Sequence, residues 1–293
     1  MSAATKTIAG TYHHAEHLEF PYVLPHRSVN DVAATSVVLI HGAFASHHEY
    51  SGVIESKILS KYHLILPDLH SDGLDISKGI DPFEISRVAS LVSHLIRQRA
   101  KGGKAHLVGV SLGAHVVVAT AAHAPDVIHG HSIFISGYNR FQPPPPVKLV
   151  APYIFYGMSK LEDVLFKSNR TKSGETNDGS QAPSGICTMK LVREIGGAVF
   201  GHSNSGERLI GPTGIEARTC VVVATHFLSG DRIIHAQRLL EKMRGAEGED
   251  RVHVLVQNKS MKHPWHVFEP ELFATAVQAW IEGRGLREGF VPC

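Results

Sequence analysis

Short apolar runs rich in β-branched residues alternate with longer amphipathic stretches from residue 36 onward. Each run is apolar on both faces and is bounded by Gly, Pro, Asp or His, which is typical of strands buried in a parallel sheet. The predicted strands are 36–40, 62–66, 105–110, 131–136, 219–224 and 251–256. The predicted helices between and after them are 49–60, 84–99, 112–123, 232–244 and 270–283.

This alternation predicts the fold class. Strands that alternate with helices form βαβ crossovers, so we expect an α/β fold with a mainly parallel, twisted sheet and helices on both faces. The first 30 residues, in which Tyr12 to Leu24 alternate partly between apolar and polar residues, predict an antiparallel hairpin at one edge of the sheet.

One segment, from Asn139 to Glu216, has no clear strand pattern. Its apolar groups, at 149–166 and 186–200, favour a partly helical cap over a disordered insertion, whereas the polar run 167–185 is typical of a flexible loop. We therefore predict a core formed by residues 1–138 and 217–293 and a cap inserted at 139–216.

Composition excludes several classes of protein. The chain of 293 residues is 43% hydrophobic and 19% charged, as in an ordinary globular protein. Its 29 basic and 27 acidic residues give a net charge of +2 without long charged blocks, so no nucleic-acid partner is expected. No apolar run approaches the roughly 20 residues that a membrane span needs. A monomer or a homodimer fits this composition.

The cysteines and histidines argue against a disulfide framework and a metal centre. Three cysteines without a CxxC spacing favour a reducing compartment, and the first ten residues lack the apolar run of a secretory signal, so a cytoplasmic location is expected. The 21 histidines include no HExxH motif. Neither a metal nor another cofactor is therefore predicted.

The densest chemical signal is the sequence GVSLG at 109–113, a GxSxG motif between a predicted strand and a predicted helix. A sharp strand-to-helix turn holds its serine in a strained backbone conformation, and neighbouring glycines let the two elements approach. The turn also places the hydroxyl of Ser111 at a helix N-terminus, where free N–H groups favour developing negative charge. Ser111 is therefore the candidate nucleophile.

A second motif, HGAF at 41–44, follows the predicted strand 36–40. Acyl chemistry needs two N–H donors aimed at the position where a carbonyl oxygen becomes an oxyanion. The backbone N–H groups of Ala43 and Leu112 are the candidates. His41 is expected to brace the turn, and Phe44 either lines the pocket or packs beneath the loop. His47 and His48, shortly after this turn, either face the substrate or face solvent at the start of a helix, and the second position is expected.

Together, HGAF (41–44), PDLHSDG (67–73) and GVSLG (109–113) resemble the α/β-hydrolase superfamily in order and spacing, over about residues 30–138 and 217–285. The resemblance implies an α/β-hydrolase fold and a catalytic serine, acid and histidine in that chain order. It also implies a structural role for Asp68. The ending HPWHVFEPELF (263–273) is similar to hydrolase-like proteins of fungal polyketide biosynthesis clusters.

The resemblance places the acid after the predicted strand 219–224. Asp231 is the carboxylate in the loop that follows, THFLSGD, whereas the loop after the preceding predicted strand, GYNRF, has none. Because Asp231 also precedes a predicted helix, it could instead be a helix N-cap.

The resemblance places the base in the segment 258–270, where His263 and His266 compete. Members of the family often carry this histidine some residues before a Pro-Glu pair that begins the last helix. Counting back from Pro270 favours His263. His266 is then expected to line the substrate pocket or to cap the final helix.

An intact triad implies hydrolysis of a carboxylic ester, thioester or lactone through an acyl-enzyme. The apolar, aromatic cap, including Tyr153 and Tyr156, favours a hydrophobic small-molecule substrate, and the fungal resemblance implies one of polyketide type. Two alternatives keep the fold. One is a lyase, C–C hydrolase, cyclase or isomerase that uses the histidine as acid and base; the other is a ligand-binding member without catalysis.

Overall fold

A sheet of nine strands, counted in the residues that the structure describes, forms the centre of the computed structural model. The structure describes residues 11–13, 23–43, 45–69, 83–139, 153, 156–157, 189–200, 209–226, 231–245, 253–287 and 289–293. The strands are β1 (Thr11–His13), β2 (His26–Val29), β3 (Ser36–Ile40), β4 (His63–Pro67), β5 (Ala105–Val110), β6 (Ile128–Ser136), β7 (Arg218–Ala224), β8 (His253–Asn258) and β9 (Val291–Pro292). They lie in the order β1-β2-β4-β3-β5-β6-β7-β8-β9.

The sheet is parallel from β4 to β8 and antiparallel at both edges. Strands β3 to β8 all run parallel to one another, which confirms the predicted parallel sheet. At one edge β1 pairs antiparallel with β2, and β2 with β4, so the N-terminal hairpin is also confirmed. At the other edge β9 pairs antiparallel with β8, which the sequence pattern did not predict.

Helices cover both faces of this sheet. They are α1 (Ser51–Glu55), α2 (Ile85–Arg99), α3 (Leu112–His123), α4 (Met189–Phe200), α5 (Ile233–Arg244), α6 (Trp265–Phe268) and α7 (Pro270–Ile281). Residues of α2, α3 and α5 belong to one buried cluster, and residues of α1, α6 and α7 belong to another. Successive residues of β3 alternate between the two clusters: Val38 and Ile40 join the first, and Val37 and Leu39 the second. The predicted fold class is therefore confirmed.

The predicted helix 49–60 is shorter in the structure. A 3-10 turn, His47–Tyr50, leads into α1, which ends at Glu55. The chain cannot continue as a helix because Lys57 adopts a left-handed conformation, with φ at 59°. The hydroxyl of Ser56 donates to the carbonyl of Val53 and so satisfies one of the last carbonyl groups of the helix.

The predicted cap is described only in part. Helix α4 lies within it, as do residues 153, 156–157 and 209–216, and the polar run 167–185 lies outside the described residues. Helix α4 is fixed to the core at two points: the side chain of Ile195 is buried in the first cluster, and the carboxylate of Glu194 accepts from the N–H of Phe83 at 3.1 Å. The cap boundaries, 139–216, stay a prediction.

Candidate active site

Ser111 occupies a sharp turn between β5 and α3. Its φ of 55° and ψ of −116° are strained for a residue with a side chain. Two backbone hydrogen bonds hold the turn: Ser111 donates its N–H to the carbonyl of Ser136 at 2.9 Å, and its carbonyl accepts from Ala114 at 3.0 Å. This is the conformation that the GxSxG motif predicts, and strain of this kind persists where the surrounding structure enforces it.

Two glycines make the turn sterically feasible. A Cβ atom on Gly109 would lie 2.3 Å from the carbonyl oxygen of Gly113, and a Cβ atom on Gly113 would lie 2.1 Å from that of Ile40. Real Cβ atoms do not approach backbone so closely, so helix α3 packs on β3 and β5 only because both side chains are absent. The close approach brings the N-terminus of α3 to the carboxyl end of β3.

The HGAF turn lies beside Ser111. A Cβ atom on Gly42 would be 3.5 Å from the Cβ of Ser111, so the two turns are in direct proximity. His41 is fully buried and braces the turn, as predicted: its Nε2 accepts from the N–H of Leu69 at 3.1 Å, and its Nδ1 therefore donates to the carbonyl of Gly42 at 2.7 Å. Ala43 is half-buried, and Phe44 lies outside the described residues.

Asp231 lies at the carboxyl end of β7, although six residues separate it from that strand. Its N–H donates to the carbonyl of Ala224 at 2.6 Å, and its Oδ2 accepts from the N–H of the same residue at 3.0 Å. The loop thus returns to the strand. The residue at the N-cap of α5 is Arg232, without a side-chain cap, so the N-cap interpretation of Asp231 is wrong.

The other oxygen of Asp231 binds His263. Its Oδ1 lies 2.5 Å from the Nδ1 of His263 and accepts from the Nδ2 of Asn139 at 2.8 Å. Asn139 also accepts from the N–H of Arg232 at 3.0 Å, so it fixes the orientation of the loop and the carboxylate together. The structure therefore brings together the predicted acid and one of the two predicted bases.

Gly137 makes room for the imidazole of His263. It has a φ of 68°, and a Cβ atom there would lie 2.6 Å from the Cε1 of His263. The imidazole keeps 32% of its side-chain surface exposed. Burial opposes its protonation, but the hydrogen bond and charge of Asp231, with the charge of Glu49, outweigh it and raise the pKa of His263 above its ordinary value.

His266 differs from its expected position. Only 1% of it is exposed, and its ring is enclosed by Tyr50 and Phe273, with ring centroids 5.2 and 5.6 Å away. Its Nε2 lies 3.3 Å from the Oε2 of Glu49. The ring is thus buried in protein instead of lining an open pocket or capping the final helix, because the short helix α6 directs it toward Glu49, Tyr50 and Phe273.

His47 also differs from its expected position at the protein surface. It is 3% exposed and does not face solvent, because its backbone N–H donates to the Oδ1 of Asp68 at 2.7 Å and its Nδ1 lies 2.9 Å from the Oδ2. Burial would raise the pKa of Asp68, but His47 outweighs it and lowers this pKa to about 2. Asp68 therefore has the structural role that the resemblance implied. His48 is half-buried.

The two tyrosines of the cap have no described contact with Ser111. Tyr153 is 56% exposed, and its hydroxyl accepts from the guanidinium of Arg193 at 3.0 Å. Tyr156 is half-buried. Their contact with a substrate stays a prediction.

Sequence reasoning missed three residues that shape the site: Glu49, Gly137 and Asn139. Asn139 lies in the loop GYNRF after β6, which has no carboxylate, and its side-chain amide is the signal that the sequence offers there. Glu49 had no signal of its own, because a single carboxylate at the start of a helix is common on protein surfaces.

The ranges that the structure describes contain neither a cluster of metal-ligating side chains nor a membrane-spanning helix. Within them, no group of three or more His, Cys, Asp or Glu side chains converges as metal ligands would. None of the helices described there is both long and apolar enough to span a bilayer.

Comparison with known proteins identifies the family. A family model described as the alpha/beta hydrolase family matches residues 37–276. An AB hydrolase superfamily protein of Gibberella zeae is 34% identical over 256 residues, which cover 87% of this chain and 83% of that protein. This chain therefore belongs to the alpha/beta hydrolase family, and the fungal relative is consistent with the resemblance to fungal proteins.

Solved structures share the fold at low sequence identity. An N-acyl homoserine lactonase complexed with N-hexanoyl homoserine is 17% identical, with a TM-score of 0.63 over 96% of this chain and 99% of that one. An esterase from Thermogutta terrifontis is 15% identical, with a TM-score of 0.62 over 94% and 98%. A thioesterase domain from the curacin biosynthetic pathway is 15% identical, with a TM-score of 0.61 over 92% and 99%. Family and fold together support a hydrolase.

Proposed function

We propose that the chain is a serine hydrolase that cleaves a carboxylic ester, thioester or lactone through Ser111, His263 and Asp231. The observation that supports this proposal best is the contact between Asp231 and His263, at the same edge of the sheet as the strained turn of Ser111. A nucleophile, a base and a group that orients the base are the three parts that acyl transfer by a serine requires.

The hydrogen bond to Asp231 determines which nitrogen of His263 reacts. Because Nδ1 donates to the carboxylate, the neutral imidazole carries its proton there, and Nε2 is left as the acceptor. Nε2 then removes the proton of Ser111 as its Oγ attacks the acyl carbon. Asp231 stabilises the imidazolium that forms and keeps it oriented.

Two backbone N–H groups stabilise the oxyanion in this mechanism. Leu112 is the first residue of α3, so its N–H has no partner within the helix and lies at the positive end of the helix dipole. Ala43 follows Gly42, which lies beside Ser111. As the tetrahedral intermediate collapses, His263 returns its proton to the leaving group. Water, activated by the same histidine, then hydrolyses the acyl-enzyme.

The substrate that we propose is a hydrophobic small molecule, with a polyketide-type ester or thioester as the specific case. The apolar and aromatic cap sequence supports the first part, and the similarity to fungal proteins supports the second. The names of the lactonase, esterase and thioesterase with the same fold are in keeping with acyl-bond cleavage, although their low identity supports the fold alone.

A panel of p-nitrophenyl esters, acyl thioesters and lactones of increasing chain length tests the proposal. The wild-type protein is expected to hydrolyse at least one class, with kcat/KM rising with apolar chain length, and Ser111→Ala is expected to abolish hydrolysis. Glu282→Gln, a change at the protein surface, is the control and should retain full activity. Activity that survives in Ser111→Ala, or a folded wild-type protein inert on the whole panel, would contradict the proposal.

A further inference from the structure

A second carboxylate, that of Glu49, lies beneath the candidate oxyanion turn. Its Oε2 accepts from the N–H of Gly42 at 3.0 Å, seven residues away along the chain. A Cβ atom on Gly42 would lie 3.6 and 3.8 Å from the two carboxylate oxygens and 3.5 Å from the Cβ of Ser111. The carboxylate of Glu49 and the Cβ of Ser111 therefore both lie within 4 Å of the position that a Cβ atom on Gly42 would occupy.

The carboxylate of Glu49 also contacts His266 of helix α6. The 3.3 Å contact with the Nε2 of His266 involves the oxygen that also accepts from Gly42. The ring of His266 packs between the rings of Tyr50 and Phe273, which restrict its rotation. The side chain of Glu49 is 19% exposed, which makes its charge more effective on its neighbours than a fully solvated charge would be.

Building on the proposed function, we propose that Glu49, oriented by His266, is a positioning residue of the active site. It fixes the Gly42 peptide so that the next N–H, that of Ala43, faces the oxyanion, and it contributes a negative charge to the electrostatic field at His263. Glu49 does not touch the reacting atoms in this proposal. It acts through the turn and through the electric field at the base.

The direction of a single N–H group matters because the oxyanion forms only in the transition state. The two peptides that flank Gly42 are each held at one point: the carbonyl of Gly42 accepts from His41, and its N–H donates to Glu49. Both peptide groups of the turn are then fixed before the substrate binds, which is the arrangement that gives the largest electrostatic stabilisation. Loss of either contact frees the turn to rotate.

The charge of Glu49 also interacts with several neighbouring ionisable groups. It acts on His41 at the end of β3, on His266 of α6, on the adjacent Tyr50 and on His263. Burial would raise the pKa of Glu49, but His266 and the N–H of Gly42 outweigh it and lower this pKa, so the side chain is a carboxylate at neutral pH. Its charge is one of the causes that raise the pKa of His263.

Two substitutions separate the two parts of this role. In Glu49→Gln the amide oxygen still accepts from Gly42, but the charge is gone; in Glu49→Ala both are lost. We expect Glu49→Gln to keep kcat within about threefold at the pH plateau and to move the acidic limb of kcat/KM to lower pH. Glu49→Ala should lower kcat by about 10- to 100-fold with little change in KM.

The experiment compares the wild type, both variants and the control Glu282→Gln, which changes a carboxylate paired with Lys61 at the surface. It uses steady-state hydrolysis of a p-nitrophenyl ester across the pH range and the NMR titration of His263, assigned with His263→Gln. A full kcat in folded Glu49→Ala, or an unchanged pKa of His263 in Glu49→Gln, would overturn the proposal.

The failure of this proposal is distinguishable from failure of the proposed function. If the wild type cleaves esters through Ser111 and the Glu49 variants behave like it, only the role of Glu49 is wrong. If the wild type is inert, the proposed function fails, and the NMR titration still decides whether Glu49 raises the pKa of His263. If Glu49→Ala does not fold, the test rests on Glu49→Gln, whose side chain has nearly the same shape as the native one. The pKa of His263 in that variant then decides the proposal.

Discussion

The Nδ1 of His263 and the Oδ1 of Asp231 lie 2.5 Å apart, although the two residues are 32 positions apart along the chain. The contact forms because β7 and β8 are parallel neighbours, so the loops that follow them emerge at the same edge of the sheet. Three residues further on, His266 contacts a different carboxylate, that of Glu49. The two histidines of the segment HPWH therefore contact two separate carboxylates, which supports His263 over His266 as the proposed base.

His263→Gln and His266→Gln should differ sharply in their effect on hydrolysis. Loss of the base is expected to lower kcat by about 10⁴ or more, because the remaining contacts supply only a small part of the catalysis. His266→Gln should lower kcat by about tenfold, because it disturbs only the orientation of Glu49. Steady-state kinetics of both folded variants check this. Equal losses would contradict the assignment of His263 as the base.

Hydrolysis should increase with pH through the pKa of His263. The base must be neutral to accept the proton of Ser111, and its pKa is raised above the ordinary value, so the acidic limb of kcat/KM should lie above the ordinary pKa of histidine. Asp231→Asn removes the charge that favours the imidazolium and should move this limb to lower pH. The measurement is the pH profile of kcat/KM. A limb that stays in place in Asp231→Asn would contradict the account.

Gly113→Ala should prevent the close packing of α3. The new Cβ atom would lie 2.1 Å from the carbonyl oxygen of Ile40, so backbone must move, and we expect a loss of about 3 kcal/mol or more in the free energy of unfolding, or failure to fold. Gly285→Ala is the matched control, because nothing lies within 4 Å of its Cβ position. It should change the free energy of unfolding by less than about 0.5 kcal/mol. Urea unfolding measures both, and a neutral Gly113→Ala would contradict the described packing.

Asp68→Asn should destabilise the fold by about 2 kcal/mol at neutral pH. The pKa of Asp68 falls from 3.8 to about 2 in the folded state, and that difference corresponds to about 2 kcal/mol. A lowered pKa contributes stability that is present above about pH 4 and is lost as the pH falls through about 2. The destabilisation caused by Asp68→Asn should therefore shrink in acid.

Asp126→Asn is the control for that measurement. Asp126 pairs with Arg97, but 63% of its side chain is exposed, so solvent screens the pair and a loss of less than about 0.5 kcal/mol is expected. Both free energies come from urea unfolding at pH 7 and pH 3. Equal losses for the two variants would show that the buried contact of Asp68 with His47 adds nothing.

The sequence predicted the parts of this protein that follow from local pattern. All six predicted strands lie within a few residues of their predicted bounds. A short run that is apolar on both faces is typical of a strand covered by helices on both sides of a parallel sheet. The position of Ser111 was predictable too, since only glycine at 109 and 113 permits the approach that the turn requires.

The contacts between distant loops could not be predicted in the same way. Asp231 satisfied a local rule, that of a helix N-cap, and only the return of its loop to Ala224 shows that its carboxylate serves His263. His47 looked solvated because its partner, Asp68, lies 21 residues away. Such pairs depend on the tertiary arrangement of loops, and the spacing of apolar and polar residues along the chain does not predict that arrangement.

The central claim is that Ser111 is an activated nucleophile, and a serine-directed fluorophosphonate tests it most directly. Intact mass and peptide mapping should show one adduct, on Ser111, which is lost in Ser111→Ala and in His263→Ala but retained in His266→Ala. An adduct on another residue, or labelling of Ser111 that persists at the full rate without His263, would contradict the claim.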